Sequence, residues 1–216
     1  MRKYKYVVFD MDGTLLDSLK DLRTATNHVM ELYGYPVFSL EEVRQMVGHG
    51  NRKLMESALP LGADDPDFEK KFDEFKKYYT DNCKVETKPY EGIMELLKHL
   101  KEKNIPASIV SNKIDNAVKE LSDYYFGGLI YAAIGMKAGM RTKPAPDSTN
   151  EALTLMQADK KETLYIGDSD VDAETAENAG LDYVLVSWGF RDRDVLMKKH
   201  PLEIVDRAEE LWKFFD

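Results

Sequence analysis

An α/β fold built on a parallel sheet is what the sequence predicts, from three observations. The segment Tyr4–Phe9 is a short β-branched and aromatic run that stops abruptly at Asp10-Met11-Asp12-Gly13, the pattern of a buried strand emptying into a loop. From about residue 88 to the C-terminus, strand-like and helix-like segments alternate, which implies right-handed crossovers and a sheet covered by helices on both faces. Between these regions, residues 17–85 carry helical periodicity and no convincing strand. A lone strand cannot satisfy its own ladder, so Tyr4–Phe9 must join the later sheet and the helical stretch must be an insertion. The predicted organisation is a Rossmann-like core of residues 1–16 and 86–216, flanked by helices, with an all-helical inserted domain over residues 17–85.

Each element has its own signature. In the insertion, Leu19, Leu22, Thr26, Val29 and Tyr33 recur at helical spacing, and Ser39-Leu40-Glu41-Glu42 has the form of a capping box. Phe68, Phe72, Phe75 and Tyr79 make a further apolar stripe, read as the core of the insertion rather than a ligand surface. After Lys88-Pro89-Tyr90, Ile93, Leu96, Leu97 and Leu100 predict a helix, followed by a strand at Ile105–Val110 and a helix from about Asp115 to Tyr124. A strand at Leu129–Ile134, a helix after Pro146, a strand at Thr163–Ile166 and a helix from about Asp172 to Ala179 come next. A strand at Tyr183–Ser187 precedes a terminal helix with the stripe Ala208, Leu211, Trp212 and Phe215.

Composition narrows the function. Thirty Lys and Arg against 39 Asp and Glu give a formal net charge of −9, which disfavours nucleic acid and anionic membrane surfaces as partners. The single cysteine, Cys83, excludes an internal disulfide or a cysteine zinc cluster and suits a free thiol in a reducing compartment. No apolar run approaches the ~18 residues of a membrane span, and Val7-Val8-Phe9 is too short for a signal peptide, so a soluble cytoplasmic protein is expected. His28, His99 and His200 show no metal-ligand spacing.

Ligands of open parallel sheets sit outside the carboxyl ends of the strands. That rule selects Asp10 and Asp12, Ser111 and Asn112, and Gly167, Asp168 and Ser169, with Lys143 in a loop of the same region. Asp10 and Asp12 are two residues apart at a strand end, and Gly13 permits a sharp turn behind them. A carboxylate can attack phosphorus, and a second carboxyl group can protonate the leaving oxygen and then take a proton from water. Two acids repel a phosphate, so such a site needs cations: hard oxygen donors from Asp10 and Asp168 suit Mg²⁺, Lys143 adds a positive charge and Ser111 a hydrogen bond. Taken singly, each of these residues is ordinary loop or helix-end composition; the strands that end at Asp10, Ser111 and Asp168 raise those three above it.

Asp10-Met11-Asp12-Gly13-Thr14, Val110-Ser111-Asn112, Lys143-Pro144 and Gly167-Asp168-Ser169-Asp170-Val171-Asp172 resemble, in order, the four motifs of the haloacid dehalogenase superfamily of phosphohydrolases, and the helical insertion resembles its cap. The resemblance implies a nucleophilic Asp10, a general acid/base at Asp12, and a phosphoryl group held by Ser111, Asn112 and Lys143. It also implies Mg²⁺ bound by Asp10, the backbone carbonyl of Asp12, and Asp168, with Asp172 in or just behind that ligand set. Within the superfamily, Val110-Ser111-Asn112-Lys113, Gly48-His49-Gly50 followed by Leu54, and Lys143-Pro144-Ala145-Pro146-Asp147 are similar to the patterns of phosphoglycolate phosphatases; Ala145 stands where many members carry histidine, and Ser111 where many carry threonine. The implied partner is a small phosphorylated metabolite, with His49 and Arg52 of the cap as candidate substrate contacts and monomer and homodimer both open. Alternatives on the same fold are a phosphomutase of the β-phosphoglucomutase type and a pyrophosphatase. A phospho-acceptor signalling domain is the alternative of another class, disfavoured because its aspartate follows a later strand and it carries no helical insertion.

Overall fold

The protein is described from a computed structural model, which covers residues 3–216. Its contacts divide the chain into two units: one runs to Leu16 and resumes at Pro89–Asp216, the other is Asp17–Lys88. The connections are β2 (Leu16–Asp17), which follows β1 (Tyr6–Phe9), and β3 (Lys88–Pro89), and they form a two-stranded sheet.

The helical unit holds α1 (Leu19–Leu32), α2 (Leu40–Met46), α3 (Asn51–Ala58) and α4 (Phe68–Asn82). α1 buries Leu19, Leu22, Thr26 and Val29, as the periodicity requires; Tyr33 falls one residue past the helix and is only half-buried. α2 begins with the capping box expected of it: Ser39 Oγ accepts from Glu42 N at 3.2 Å and Glu42 Oε2 accepts from Ser39 N at 2.7 Å. Phe68, Phe72, Phe75 and Tyr79 line one face of α4 and are all buried, successive rings stacked 5.9, 6.3 and 5.7 Å apart. A buried ion pair, Lys71 Nζ to Asp65 Oδ2 at 2.6 Å, ties α4 to the loop that precedes it. Asp21, also buried, accepts from the backbone N–H groups of Glu86 and Thr87 at 3.0 and 2.9 Å and from the Thr87 hydroxyl at 2.7 Å, so α1 holds the segment that leaves the unit.

The larger unit adds α5 (Ile93–Glu102), β4 (Ala107–Ile114), α6 (Asp115–Phe126), β5 (Ala132–Met136), α7 (Asp147–Met156), β6 (Thr163–Gly167), α8 (Asp170–Ala179), β7 (Asp182–Val186), α9 (Arg193–Met197) and β8 (Ile204–Val205). Six strands form one parallel sheet in the order β5-β4-β1-β6-β7-β8. β1 lies in the middle, which is why Val7, Val8 and Phe9 are fully buried and the strand reads as a continuous apolar run. The reversal of strand order on either side of β1 opens a crevice at its carboxyl end, the usual ligand position in such sheets.

Four expectations about elements are corrected. β4 does not stop at Val110 but continues to Ile114, with a register irregularity against β5 between those residues, so Ser111 and Asn112 lie within a distorted strand end. β5 begins at Ala132 rather than Leu129, because the positive-φ pair Gly127-Gly128 ends α6 and the chain needs further residues to reach the sheet edge. The terminal helix is 3₁₀ over Ala208–Phe214, and its buried face is Ala208, Leu211 and Phe214, a spacing of three that replaces the α-helical stripe through Trp212. α9 and β8 carry no strong periodic signal at their short lengths and were not expected. No helix among the described residues is long and apolar enough to cross a membrane.

Replacing Asp21 by Ala should leave three donors without their acceptor, two of them on buried Thr87. The expected loss is about 2–3 kcal/mol of stability in urea unfolding, whereas Asp21→Asn, which keeps one acceptor oxygen, should lose less.

Candidate active site

The site grows from the ends of β1, β4 and β6. Asp10 follows β1 directly, and its backbone N–H still donates to Ile166 O at 2.9 Å, so the sheet itself fixes the nucleophile candidate. Asp168 follows β6 and Asp172 lies in the first turn of α8, whose N-cap is Ser169. One oxygen from each of Asp10, Asp168 and Asp172 lies within 4.8 Å of the others, and all three residues are buried.

Lys143 is the cation among them. Its ammonium, itself buried, donates to Asp10 Oδ1 at 2.6 Å and Asp172 Oδ1 at 2.8 Å. The Asn112 carboxamide bonds to the backbone of the same lysine. Its Oδ1 accepts from Lys143 N at 2.7 Å and its Nδ2 donates to Lys143 O at 3.2 Å, so it pins the lysine's backbone. Ser111 Oγ accepts from Lys113 N at 3.1 Å, which leaves its hydroxyl hydrogen to donate toward a ligand. Asp172 is fully engaged from behind: Tyr165 OH donates to Oδ1 at 3.1 Å, and Ser169 Oγ and Asp168 N donate to Oδ2 at 2.5 and 3.3 Å.

Asp12 stands apart from the three clustered acids. Its carboxylate pairs with Lys113 Nζ at 2.9 Å, a lysine side chain only 2% exposed. Glycines make room for the rest. At Gly13, where φ is +92°, a Cβ would sit 2.4 Å from Asp168 Oδ2, and at Gly189 a Cβ would sit 2.2 Å from Asp168 Cβ. Asp168 accepts from Phe190 N at 2.7 Å and from Thr14 Oγ1 at 3.2 Å.

The electrostatics leave a deficit of positive charge. Three carboxyl groups share one ammonium, so their full ionisation would leave two negative charges uncompensated in a buried pocket. Burial, with the nearby Asp172 charge adding to it, pushes the Asp168 carboxyl up to about 7. Burial likewise holds Asp10 well above the usual carboxylate range, against the pull of Lys143. Burial works against the charge of Lys143, yet Asp10 and Asp172 outweigh it and keep the ammonium protonated. A divalent cation with a taste for hard oxygen donors matches both the donor set and the missing charge, so the residues present fit Mg²⁺.

The structure therefore brings together Asp10, Lys143, Asp168 and Asp172, with Ser111 and Asn112 at the adjoining strand end and Asp12 on its own lysine. In the helical unit, His49 is exposed, while Arg52 is committed to Glu69 (Nη2 to Oε1, 2.5 Å) and stacks over Phe68 with its guanidinium 4.7 Å from the ring centroid. Sequence reasoning missed the pairing of Lys113 with Asp12 and the support from Tyr165, Thr14, Gly189 and the Phe190 amide. Tyr165 reads as one more apolar strand residue, and the Phe190 donor is backbone, which leaves no side-chain signal.

Lys143→Met would leave three buried carboxylates without a cation. It should lower stability by about 3–5 kcal/mol in chemical unfolding without added metal, the usual cost of breaking a buried pair from one side.

The comparisons with known proteins fall on the same ground. The family model described as haloacid dehalogenase-like hydrolase matches residues 7–186. A phosphoglycolate phosphatase of Aquifex aeolicus is 31% identical over 213 residues, covering 98% of this chain and 97% of the relative. One from Rhodobacter capsulatus is 30% identical over 212 residues, covering 96% and 92%. A crystal structure of a provisionally named phosphoglycolate phosphatase from Lactobacillus delbrueckii subsp. bulgaricus superposes with a TM-score of 0.94 at 34% identity, covering 99% of both chains. With the family model matched over most of its length and full-length relatives beside it, the chain belongs to the haloacid dehalogenase-like hydrolases and is a phosphatase similar to phosphoglycolate phosphatases.

Proposed function

We propose that the protein is a Mg²⁺-dependent phosphatase that hydrolyses a small phosphorylated metabolite, a phosphoglycolate-like monoester, through an aspartyl phosphate on Asp10. The observation that carries this reading is the buried group of Asp10, Asp168 and Asp172 around Lys143 at the carboxyl end of a parallel sheet. The names of the relatives point to the same substrate class.

In the first half-reaction Asp10 attacks phosphorus. Lys143 holds Asp10 Oδ1, so the other carboxylate oxygen forms the new O–P bond while the P–O bond to the leaving group breaks. Ser111 and Lys143 donate to the phosphoryl oxygens, whose charge is greatest in the transition state. Asp12, two residues from the nucleophile, gives a proton to the leaving oxygen; in the second half-reaction it takes one from the water that attacks phosphorus and frees Asp10. Lys113 keeps the Asp12 carboxylate in one orientation between these transfers. Asp10, Asp168 and the Asp12 carbonyl would hold Mg²⁺, with Asp172 steadying the set through Lys143 and Ser169. When bound, the ion supplies the missing positive charge that lets a carboxylate and a phosphate approach each other.

Asp10→Asn should lower turnover of a generic phosphate ester by at least about a thousandfold while the circular dichroism spectrum stays that of the wild type; retained turnover would remove Asp10 from the nucleophile role. Chelation with EDTA should abolish hydrolysis and added Mg²⁺ should restore it, and saturating Mg²⁺ should raise the melting temperature of the wild type. A panel of phosphoglycolate, sugar phosphates, nucleotides and pyrophosphate, assayed by phosphate release, identifies the substrate. The highest kcat/KM is expected for a small monoester, and isomerisation of a hexose 1-phosphate without phosphate release would favour a mutase instead.

A further inference from the structure

The loop after β7 has no assigned part in the chemistry, yet its middle closes on Asp168. Ser187 N donates to Val205 O at 3.0 Å, which anchors the start of the loop to β8. Trp188 then donates its indole Nε1–H to the backbone carbonyl of Thr14 at 3.1 Å. Gly189 passes so close to Asp168 that a Cβ there would lie 2.2 Å from the Asp168 Cβ, and Phe190 N donates to Asp168 Oδ2 at 2.7 Å. Arg191 Nε closes the loop on Asp170 Oδ1 at 3.0 Å, in the first turn of α8. The same Thr14 whose carbonyl receives the indole donates its hydroxyl to Asp168 Oδ1 at 3.2 Å.

Asp168 is therefore held between two backbone segments far apart in sequence, the turn at 13–14 and the loop at 189–190. Each supplies one glycine wall and one donor, one to each carboxylate oxygen. The Trp188 indole is the direct side-chain link between those two segments, and the Tyr90 ring braces it, with centroids 6.3 Å apart and planes inclined at 53°. A carboxylate that ligates a cation must present its oxygens along a fixed direction, and partners of a ligand set that direction as much as the ligand does.

We infer that Trp188 is a positioning residue for Asp168. By fastening the 187–190 loop to the Thr14 carbonyl, it keeps the Phe190 amide and the Thr14 hydroxyl in register and so aims the Asp168 carboxylate at the divalent cation. The inference rests on the proposed assignment of Asp168 as a Mg²⁺ ligand, and its test separates the two.

Calorimetric titration of Mg²⁺ is run on the wild type, Asp168→Asn and Trp188→Phe, with melting temperatures recorded in the absence of metal. Phenylalanine keeps a ring against Tyr90 and removes only the N–H. The wild type should bind Mg²⁺, Asp168→Asn should lose binding, and Trp188→Phe should bind about tenfold more weakly. In assays, the Mg²⁺ concentration for half-maximal rate should rise by the same factor in Trp188→Phe, while kcat at saturating Mg²⁺ stays near that of the wild type; a merely structural role would leave the Mg²⁺ requirement unmoved. A Thr14→Val partner should show a less than additive effect with Trp188→Phe, because both act on one carboxylate. Equal affinity in wild type and Trp188→Phe overturns the positioning role and leaves the cation site standing. Absence of binding in the wild type, or full binding in Asp168→Asn, overturns the cation assignment itself. A second readout needs no change at Trp188: with Trp212→Phe it becomes the sole tryptophan, and its emission should shift as Mg²⁺ saturates the site, whereas an unchanged spectrum at saturation contradicts the coupling.

Discussion

The ammonium of Lys143 is what allows acidic side chains to share a dry pocket at the end of the sheet. It sits 2.6 Å from Asp10 and 2.8 Å from Asp172, and much of the surrounding structure exists to keep it there. Asn112 grips its backbone from both sides, Tyr165 and Ser169 brace Asp172 beneath it, and the parallel ladder of β1 with β4 and β6 brings the loops together. One lysine does not balance three carboxylates, and the remaining negative charge suits the pocket to a divalent cation. On the proposed reading, ion and lysine together turn an acidic crevice into a place for a phosphate, so a chain of net charge −9 can still recognise an anion.

A second lysine divides the labour between the two acids of the first motif. Asp10 belongs to Lys143 and to the clustered carboxylates, whereas Asp12 is held by Lys113 on the distorted end of β4. Two carboxyl groups only two residues apart thus meet different surroundings, which is the condition under which paired acids can take different roles. The irregularity in β4 falls at Ser111, Asn112 and Lys113, consecutive residues of which Asn112 bonds to the Lys143 backbone and Lys113 to Asp12.

Much of this was legible in the sequence, for physical reasons. A buried central strand has to read as Val7-Val8-Phe9 and end in a loop, and strands that alternate with helices leave few topologies open. The candidate site residues at strand ends, Asp10, Asp12, Ser111 and Asp168, are polar groups placed where apolar runs stop, and that contrast is visible in one dimension. What was not legible is carried by partners rather than by residue types. Nothing in Lys113 announces Asp12, the Phe190 contribution is a backbone amide, and Gly189 matters only because Asp168 passes beside it. Asn112 is a further case, since its type does not announce its bonds to the Lys143 backbone. In the helical unit, the type of Arg52 suits an anionic ligand, whereas its pairing with Glu69 and stacking over Phe68 depend on residues 16 or more positions away that its type does not announce. The 3₁₀ end of the chain is ambiguous in sequence because Ala208 and Leu211 fit both periods, and burial of Phe214 decides for a repeat of three.

Direct detection of a phosphoryl group on Asp10 tests the proposed chemistry at its centre. Asp12→Ala is mixed with Mg²⁺ and p-nitrophenyl phosphate, whose leaving group needs no proton, then quenched in acid and digested for peptide mass spectrometry. Without the residue that activates water, phosphate should accumulate on the peptide containing Asp10 and be released by hydroxylamine, as an acyl phosphate is. Release of p-nitrophenol with no protein-bound phosphate, or with phosphate on a peptide lacking Asp10, would contradict it.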